Sequence, residues 1–384
     1  MLHDLEIKNF RAFSRLTIER LGRVNLIVGK NGVGKTTLLE AVQLYGSVFP
    51  AENAKSILTE RDEIEAEAVE RAVLILRSIF HGRRATNGTE ASIGPVSDRP
   101  DSPRLRIKAA VRSPGKGGEQ GPFNLNWPPW RKNLAMLEIE TGENRWYLGE
   151  DEIVWHEGKD LDESFGKIST TRQIVDRPPV LRGKDTNGDN HETARRWDRL
   201  ALTLGEKRAL DVLKIFEPVE AIAFVVNSHN APDRIAKVRL AGSPEPVPLA
   251  VLGDGIVRMF QIAVAMEYAG TPMKDLSVDG LFKAPPNVFP MLLIDEAEVG
   301  IHYSLHADLW RFIFKAAKML GVQVFATTHS WDCIKGFAEA LKDAEPEEGL
   351  MIRLEKAMGQ DRTGAVIIDR DDLPIVVRES IEVR

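Results

Sequence analysis

Cysteine, long apolar runs and a leader-like start are what this sequence has little of. Among 384 residues there is one cysteine, Cys333, so the chain cannot form an internal disulfide, and no second cysteine offers zinc-site spacing. No apolar run approaches the roughly 18 residues that span a membrane. The opening MLHDLEIKNF carries charges where a signal peptide would be apolar. These absences predict a cytoplasmic protein with no membrane partner.

A basic excess is also absent. The chain has 51 Lys and Arg against 57 Asp and Glu, for a net charge of −6, which argues against a uniformly basic nucleic-acid coat. A local basic stripe stays possible within that total, so DNA is left open as a partner. With 43% apolar residues, the chain is globular and can bury one large core or two modest ones.

A glycine-rich loop, GKNGVGKTT at residues 29–37, lies between a predicted strand, LGRVNLIV, and a predicted helix, TTLLEAVQLYGSVF. Its glycines let successive backbone N–H groups turn inward, and the helix start adds its positive end, so the loop suits a multiply charged anion. It matches G-x-x-x-x-G-K-T, in which Lys35 reaches the β- and γ-phosphates and the Thr36 hydroxyl binds Mg²⁺. The predicted nucleotide-binding residues are Gly29, Lys30, Asn31, Gly32, Val33, Gly34, Lys35, Thr36 and Thr37.

Two adjacent acidic residues follow an apolar run far downstream, VFPMLLIDEAEVGIH at residues 288–302. Asp295 and Glu296 lie where the predicted strand ends, and parallel sheets bind their ligands at that edge. Asp295 is predicted to hold Mg²⁺, and Glu296 to orient and deprotonate the water that attacks the γ-phosphate. By itself the segment also fits a strand that ends in a solvated acidic turn; the presence of Lys35 favours the site.

A third apolar run, LGVQVFATTHS at residues 320–330, repeats this pattern of strand and polar tip. It delivers Thr328, His329 and Ser330 to the same sheet edge. His329 is predicted to contact the γ-phosphate, although a histidine in this position also fits an ordinary packed or solvated residue.

These segments, in this order, resemble the ABC-type ATPase heads of RecF, the structural-maintenance-of-chromosomes (SMC) proteins and the overcoming-lysogenization-defect (OLD) family. The resemblance covers roughly residues 1–45 and 245–345, and includes the Asn-Phe-Arg turn in LEIKNFRAF shortly before the glycine-rich loop. It implies an α/β P-loop NTPase fold with a mixed central sheet, an antiparallel β subdomain and an inserted helical lobe. It also implies ATP and Mg²⁺ as cofactors, and it implies that Arg11 lies near the nucleotide.

The family's signature motif, which contacts the γ-phosphate of the opposite subunit, falls on LGDGIVRMFQIAVAM at residues 252–266. By this resemblance Gly253, Asp254 and Gly255 would bind the partner's nucleotide, and Arg258 would steady the loop. Gly253 stands where the family has serine, and Asp254 brings negative charge close to phosphate, so a plain turn before a core helix remains an alternative. For the family's glutamine loop, Gln173 and Gln43 are both candidates.

The glycine-rich loop and the acidic pair are too far apart for a minimal core, so a lobe is predicted between them. Residues 1–50 and 245–384 are expected to form the ATPase core, and 51–244 the inserted helical and antiparallel β lobe. Within that lobe we predict one amphipathic helix over 52–80, a flexible surface loop over 82–103, antiparallel strands in RLRIKAAVR and MLEIETGENRWYLGEDEIVW, and helical periodicity over 191–216.

Two smaller features of the lobe leave alternatives open. The tryptophans of NWPPWRK, residues 126–132, fit a loop pinned onto the lobe better than a base-stacking site. Arg195, Arg196 and Arg199 fit a solvated helix face, with DNA or an acidic partner as the other interpretation.

The leading functional hypothesis is an ATPase that forms a homodimer, or a higher homo-oligomer, around ATP. Few residues follow His329, too few for the nuclease domain that OLD proteins append, so the resemblance suggests control of a separate, nuclease-like effector in anti-phage defence. One alternative is a RecF-like repair ATPase that binds DNA directly. The other is a nucleotide-gated scaffold with little hydrolysis.

Overall fold

The computed structural model describes residues 1–61, 63, 77–97, 102–112, 134–142, 144–149, 154–157, 166–167, 178–182, 189–214, 217–226, 234–271, 287–345, 348–356 and 362–379. The strands are β1 Leu5–Phe10, β2 Phe13–Ile18, β3 Val24–Val28, β4 Glu90–Gly94, β5 Leu105–Arg112, β6 Leu134–Thr141, β7 Asn144–Gly149, β8 Val154–Glu157, β9 Gly166–Lys167, β10 Val180–Leu181, β11 Val219–Val226, β12 Arg234–Leu240, β13 Val247–Pro248, β14 Met291–Ile294, β15 Gln323–Thr327, β16 Gly349–Lys356 and β17 Thr363–Ile368.

The helices are α1 Lys35–Tyr45, α2 Pro50–Glu60, α3 Asp189–Leu200, α4 Leu204–Leu213, α5 Asp254–Gly270, α6 His306–Leu320, α7 Trp331–Asp343 and α8 Leu373–Arg378. Short 3₁₀ turns lie at His81–Arg83, Leu249–Leu252 and Tyr303–Leu305. Among the described residues, no helix has the length and apolar character needed to cross a membrane.

The central sheet has the strand order β10-β14-β15-β3-β16-β17, parallel throughout except for the antiparallel pair β16–β17. Its strands are apolar on both faces because each face is covered. In β3, Leu26 and Val28 belong to the cluster on one side and Ile27 to the cluster on the other. The carboxyl ends of β3, β14 and β15 therefore meet at one edge, which is where an α/β sheet binds its ligands.

A second sheet is antiparallel and has the order β2-β1-β4-β5-β6-β7-β8-β9. Its apolar face packs on α1 and α2 and on one side of the central sheet, within a cluster that includes Phe13, Leu38 and Trp146. A third, three-stranded sheet, β11-β12-β13, packs with α3 and α5 through Trp197, Phe224 and Phe260. The expected fold class, an α/β P-loop NTPase of the ABC-head type with a mixed sheet and an antiparallel β subdomain, is confirmed.

The surface loop predicted over 82–103 is wrong in part, because β4 lies within it. Strand β4 pairs with β1 on one side and β5 on the other, and Ala91 and Ile93 are fully or almost fully buried. The segment EASIG is short and bracketed by glycines, so its turn signals outweigh its two apolar residues in the sequence. Pairing with a strand on each side buries this segment, and its composition alone does not indicate that burial.

The continuous helix expected over 191–216 is two helices, α3 and α4. The break at 201–203 is a helix start: the Thr203 hydroxyl accepts the N–H of Gly205 at 3.1 Å, and a Glu206 carboxylate oxygen accepts the N–H of Leu202. Both contacts resemble a capping box, but each backbone donor lies one residue earlier than in that motif. The helix expected over 52–80 begins as α2 and ends at Glu60, whereas most of 62–76 lies outside the described residues, as does NWPPWRK.

The expected solvated face on α3 is also corrected at one position. Arg196 is 2% exposed, and its guanidinium donates to the carbonyl of Val180 at 3.5 Å. Arg195 is paired with Glu192 at 2.6 Å, and Arg199 is exposed. A long side chain with a terminal charge can follow an apolar face inward, which a charge count along the sequence does not show.

The division into 1–50 with 245–384 and 51–244 remains a prediction. Strand pairing crosses its boundaries at two points. Strand β10, from the predicted lobe, pairs with β14 of the central sheet, and β4 pairs with β1. The antiparallel sheet thus contains strands from both predicted parts.

Candidate functional site

The glycine-rich loop connects β3 to α1 through backbone that only glycine adopts readily. Gly29 and Gly34 have φ of 143° and 112°. A Cβ at Gly29 would meet the carbonyl oxygen of Leu354, and one at Gly34 would lie 2.7 Å from the ring of Phe13. Both substitutions would be strained by φ and by contact. These glycines thus let the loop pack between β16 and β2.

Lys35 lies at the first position of α1 and is 6% exposed. Its ammonium group donates to the carbonyl oxygens of Gly29 at 2.5 Å and Lys30 at 3.1 Å. Burial lowers the pKa of Lys35, while the charges of Asp295, Glu298 and Glu296 oppose that shift. The loop therefore holds its cation beside acidic residues that the chain supplies more than 250 positions later.

Thr36 and Asp295 come together across the edge of the central sheet. The Thr36 hydroxyl donates to Asp295 Oδ2 at 3.3 Å. The other oxygen of Asp295, Oδ1, accepts the hydroxyl of Thr327 at 2.5 Å, and the Asp295 N–H donates to the carbonyl of Leu181. Thr327 ends β15 and Leu181 ends β10, so Asp295 as a whole is held by neighbours on both sides of β14.

Glu296 has φ of 53°, which is unusual for a residue with a side chain. Its N–H donates to the Thr327 hydroxyl at 2.9 Å, and the N–H of Ala297 donates to the Thr327 carbonyl at 3.0 Å. These two hydrogen bonds keep the strained turn on the end of β15. Left-handed backbone of this kind is found where surrounding contacts hold it, often at functional sites.

His329 is exposed beyond β15, and its position is set through its backbone. The His329 N–H donates to Glu298 Oε1 at 2.8 Å. Neither Thr327 nor Glu298 is among the predicted site residues. The sequence could have pointed to Thr327, because it belongs to the polar tip ATTHS of the third apolar run. It could also have pointed to Glu298, the third acidic residue of DEAE, but spacing alone does not reveal the role of that residue.

The signature-like segment starts α5, with Gly253 at φ 101° just before it. Gly253 and Asp254 are exposed. Gly255 packs so closely on the turn after β14 that a Cβ there would lie 3.2 Å from the carbonyl oxygen of Gly300. Arg258 is buried and donates to the carbonyls of Arg182 at 3.2 Å and Asp295 at 3.4 Å. This helix start is therefore anchored to the acidic turn of its own chain.

Arg11 lies in the β1–β2 turn with φ of 47° and is almost fully buried. Its guanidinium is paired with Glu63 at 2.9 Å and with Glu40 of α1 at 3.4 Å. Its predicted place beside the nucleotide remains a prediction, since the described contacts engage it with these carboxylates. Of the glutamine-loop candidates, Gln43 is buried and donates to Asn53 at 3.0 Å, and Gln173 lies outside the described residues.

The oxygen atoms of Thr36 and Asp295 fit the magnesium that the predicted site implies. A hydroxyl and a carboxylate are the hard donors that Mg²⁺ prefers, and with nucleotide phosphates it needs few protein ligands. In the described part of the chain, no group of three or more His, Cys, Asp or Glu side chains is arranged to hold a metal ion. The aspartates near α8 form no such group either, and one of them, Asp369, is paired with Arg20.

Two family models match parts of the chain. One, described as "AAA domain", matches residues 4–93 and includes the glycine-rich loop. The other, described as "AAA domain, putative AbiEii toxin, Type IV TA system", matches residues 210–332 and includes the acidic pair and His329. The two matches meet in space at the edge of the central sheet.

Curated relatives match the chain at different lengths. The DNA replication and repair protein RecF of Pseudoalteromonas translucida is 27% identical over 210 residues, 54% of this chain and 51% of that protein. An ATP/GTP phosphatase of Helicobacter pylori is 22% identical over 373 residues, 90% of each chain, and an OLD nuclease of Thermus scotoductus is 46% identical over 52 residues, 13% of this chain and 10% of that protein. The chain spans about half the length, or less, of the RecF relatives it matches.

A solved SMC head bound to the C-winged helix domain of ScpA covers 96% of this chain and 98% of its own, at 11% identity and a TM-score of 0.47. The strand orders of the sheets and the meeting of β3, β14 and β15 at one edge show the α/β P-loop fold.

Proposed function

We propose that this chain, as an ABC-type ATPase head of the class that includes RecF, SMC and OLD proteins, binds ATP with Mg²⁺ and hydrolyses it at the edge of the central sheet. The observation that carries the proposal is the hydrogen bond between Thr36 and Asp295. This hydrogen bond joins the end of the glycine-rich loop to the acidic pair. A magnesium ion bound to nucleotide phosphates takes its protein ligands from these two segments.

The chain's residues divide the work as follows. The loop over 29–37 binds the phosphates through backbone N–H groups and the ammonium group of Lys35. Thr36 and Asp295 would hold Mg²⁺, which supplies positive charge for the β- and γ-phosphate oxygens. Glu296 orients the attacking water and takes its proton, and His329 contacts the γ-phosphate.

Lys35→Ala tests this proposal. Deleting the buried cation is expected to abolish ATP binding, because the phosphate charge in a partly desolvated loop then lacks its counterion. Titration calorimetry with ATP and Mg²⁺ measures the affinity, and phosphate release measures turnover. Lys207→Ala is the control, since Lys207 is an exposed lysine on α4, outside the loop. Unchanged affinity in Lys35→Ala would show that the loop does not bind the nucleotide.

We further propose that two copies close around ATP, with Gly253, Asp254 and Gly255 of one copy at the γ-phosphate of the other. The exposure of Gly253 and Asp254 at the start of a 17-residue helix supports this, because a helix start attracts phosphate. Asp254→Arg is the useful variant: Asp254 is exposed, whereas a side chain at Gly255 would press on Gly300 of its own chain.

Mixing the Asp254→Arg and Lys35→Ala proteins distinguishes a defect in the helix start from a defect in the phosphate-binding loop. Asp254→Arg protein is expected to bind ATP but not hydrolyse it, and Lys35→Ala protein to do neither. In a mixed dimer, one site combines the intact loop of the first with the intact helix start of the second, so part of the activity should return. If no mixing ratio restores phosphate release and Asp254→Arg alone is fully active, residues 252–258 are a turn before a core helix.

The output of the cycle is proposed to be control of a separate, nuclease-like effector in anti-phage defence. Its support is the toxin–antitoxin description of the second family model and the short match to an OLD nuclease. Cells that express this chain with its neighbouring reading frames should resist phage, and Lys35→Ala should remove the resistance. Equal plaque counts with and without Lys35 would contradict the defence role.

The RecF match favours one alternative, direct DNA binding. That activity would give an affinity for duplex DNA that falls linearly on a log–log plot against salt, because each phosphate contact releases a counterion. A measurable salt dependence of DNA binding that requires ATP would favour direct DNA binding over control of an effector. No binding at low salt would exclude it.

A further inference from the structure

Arg182 is a cation at the edge of the central sheet, and the roles proposed above do not use it. It is the first residue after β10, which runs parallel to β14 with Leu181 in register with Ile294. The carbonyl of Leu181 accepts the N–H of Asp295 at 2.7 Å. The backbone of Arg182 therefore lies beside that of Asp295, at about 4.8 Å, the spacing of paired strands.

A buried arginine fixes this arrangement. The guanidinium of Arg258 donates to the carbonyls of Arg182 at 3.2 Å and Asp295 at 3.4 Å. Asp295 in turn accepts the hydroxyl of Thr36 at 3.3 Å. Thr36 and Asp295 are the proposed magnesium ligands, and Mg²⁺ bridges the β- and γ-phosphates. The point at which Arg182 leaves the sheet is thus next to the place where the outer phosphates of ATP would bind.

The side chain of Arg182 lies on the side of the sheet that carries α1. It is 25% exposed, and its guanidinium is paired with Glu60, the last residue of α2. The next residue, Arg61, is paired with Glu40 of α1 at 2.5 Å. Glu40 lies one helical turn after Thr36, on the same face of α1. The guanidinium is therefore close to the helix that starts at the phosphate-binding loop, and it is accessible.

The ion pair of Arg182 with Glu60 is one that a phosphate can displace. Glu60 is 42% exposed, and its other carboxylate oxygen accepts the hydroxyl of Ser56 at 3.0 Å. Partly exposed ion pairs contribute little to stability, because water solvates both charges when they separate. A phosphate offers a guanidinium more negative charge and a bidentate geometry. The glycine-rich loop encloses the inner phosphates, so the γ-phosphate is the one that stays open to a cation from β10.

We propose that Arg182 is a further phosphate-binding residue, which exchanges its partner Glu60 for the γ-phosphate when ATP binds. The inference rests on the proposed binding of ATP with Mg²⁺ at this edge. ADP has no γ-phosphate, so Arg182 stays paired with Glu60 when ADP is bound. The end of α2 is therefore released by ATP and held with ADP, which lets the head distinguish the two nucleotides.

The ratio of the affinities for ATP and ADP tests this exchange. Titration calorimetry with Mg²⁺ compares ADP with the imido analogue of ATP, which is not hydrolysed. Arg182→Met keeps the apolar stem of the side chain and removes its charge. It should weaken binding of the analogue at least about 10-fold, the scale of a hydrogen bond between charged groups, and leave the affinity for ADP unchanged.

Glu60→Gln should act in the opposite direction. It weakens the partner that competes with the γ-phosphate, so binding of the analogue should tighten by about 2- to 5-fold, the scale of a partly exposed ion pair. In the Arg182→Met background the same change should have no effect, because it acts through Arg182. Arg145→Met is the control: it breaks a partly exposed pair with Glu140 in the antiparallel sheet and should change neither affinity.

The outcomes separate this inference from the proposed function. An equal loss of both affinities in Arg182→Met would mean a structural role, and the inference fails. A ratio of affinities that Glu60→Gln leaves unchanged also overturns it, and this variant decides the matter even if Arg182→Met is unstable. Wild-type protein that binds neither nucleotide would overturn the proposed function together with this inference. Wild-type protein that binds the analogue, with no change in Arg182→Met, would overturn this inference alone.

Discussion

The antiparallel sheet and the edge of the central sheet treat their buried charges in opposite ways. In the antiparallel sheet, Glu6 is 2% exposed and is surrounded by cations: Lys8 at 2.8 Å, Arg15 at 2.7 Å and Arg104 at 3.0 Å. Burial raises the pKa of Glu6, but these three partners outweigh it and the pKa is lowered overall. Here a buried charge is fully compensated.

At the site edge, compensation is incomplete. Lys35 is a cation whose pKa burial lowers, Glu296 has left-handed backbone, and Glu298 carries an oxygen without a partner in the described part of the chain. Features of this kind cost stability and persist where function selects them. The edge of the central sheet therefore holds an arrangement of charges that is less favourable for the protein by itself than that of the antiparallel sheet, as expected for the edge proposed to bind a polyphosphate.

The largest effect expected from this contrast is on turnover. Glu296→Gln should keep ATP binding but slow phosphate release at least about 100-fold, the scale for losing a general base. Glu140→Gln in the antiparallel sheet, where Glu140 pairs with Arg145 at 2.6 Å, should leave turnover unchanged. Single-turnover phosphate release on both proteins makes the comparison. Full activity of Glu296→Gln, with Asp295→Asn harmless, would make the acidic pair structural.

The next effect is on stability, in the other sheet. Glu6→Gln should lower the free energy of unfolding by about 1.5–3 kcal/mol at neutral pH, the range for hydrogen bonds to charged groups. Urea unfolding measures it. Because the folded pKa of Glu6 is depressed, its contribution is present above the ordinary glutamate value of 4.5 and is lost as pH falls through the folded value.

The variant supplies the control for that pH dependence. Wild type and Glu6→Gln should therefore converge in stability once the pH falls below the lowered pKa of Glu6, where the carboxylate of folded wild type takes up its proton. Parallel curves down to acid pH would show that the ion pairs of Glu6 contribute nothing. Lys8→Met should have a smaller effect than Glu6→Gln, since Lys8 is 48% exposed.

Sequence reasoning reaches the parts of this site that are contiguous. The loop over 29–37 and the strands before Asp295 and His329 are predictable because glycine spacing and runs of apolar residues act locally. The contacts of Thr327 and Glu298 are not, because each depends on register between β14 and β15, whose partners are some 30 residues apart. For the same reason β4 is visible only once β1 and β5 are paired with it.

One helix start that the continuous helix predicted over 191–216 overlooks does have a local signal in the sequence. The start of α4 at Thr203 is written in the sequence as Thr-Leu-Gly-Glu, a capping box inside an apolar periodicity that otherwise continues. Arg196 had none, because its burial depends on the carbonyl of Val180 in a different part of the fold. Local chemistry is therefore recoverable from the sequence, and tertiary compensation of charge is not.

The smallest expected effect isolates the backbone strain at Glu296. Glu296→Asn and Glu296→Gln both remove the charge, but asparagine tolerates left-handed backbone far better than glutamine. The asparagine variant should therefore unfold at a higher free energy than the glutamine variant by about 1 kcal/mol, the lower end of the cost of this conformation. Both should hydrolyse ATP slowly, and unfolding is measured without nucleotide, so any stability difference is independent of turnover. Urea unfolding without nucleotide compares the two proteins directly.

A more stable Glu296→Asn would mean that the acidic turn is held in a conformation that costs the fold free energy. Equal stability of the two variants would mean that the hydrogen bonds this turn donates to Thr327 already relieve the strain, and the contrast between the two sheets would then rest on charge alone.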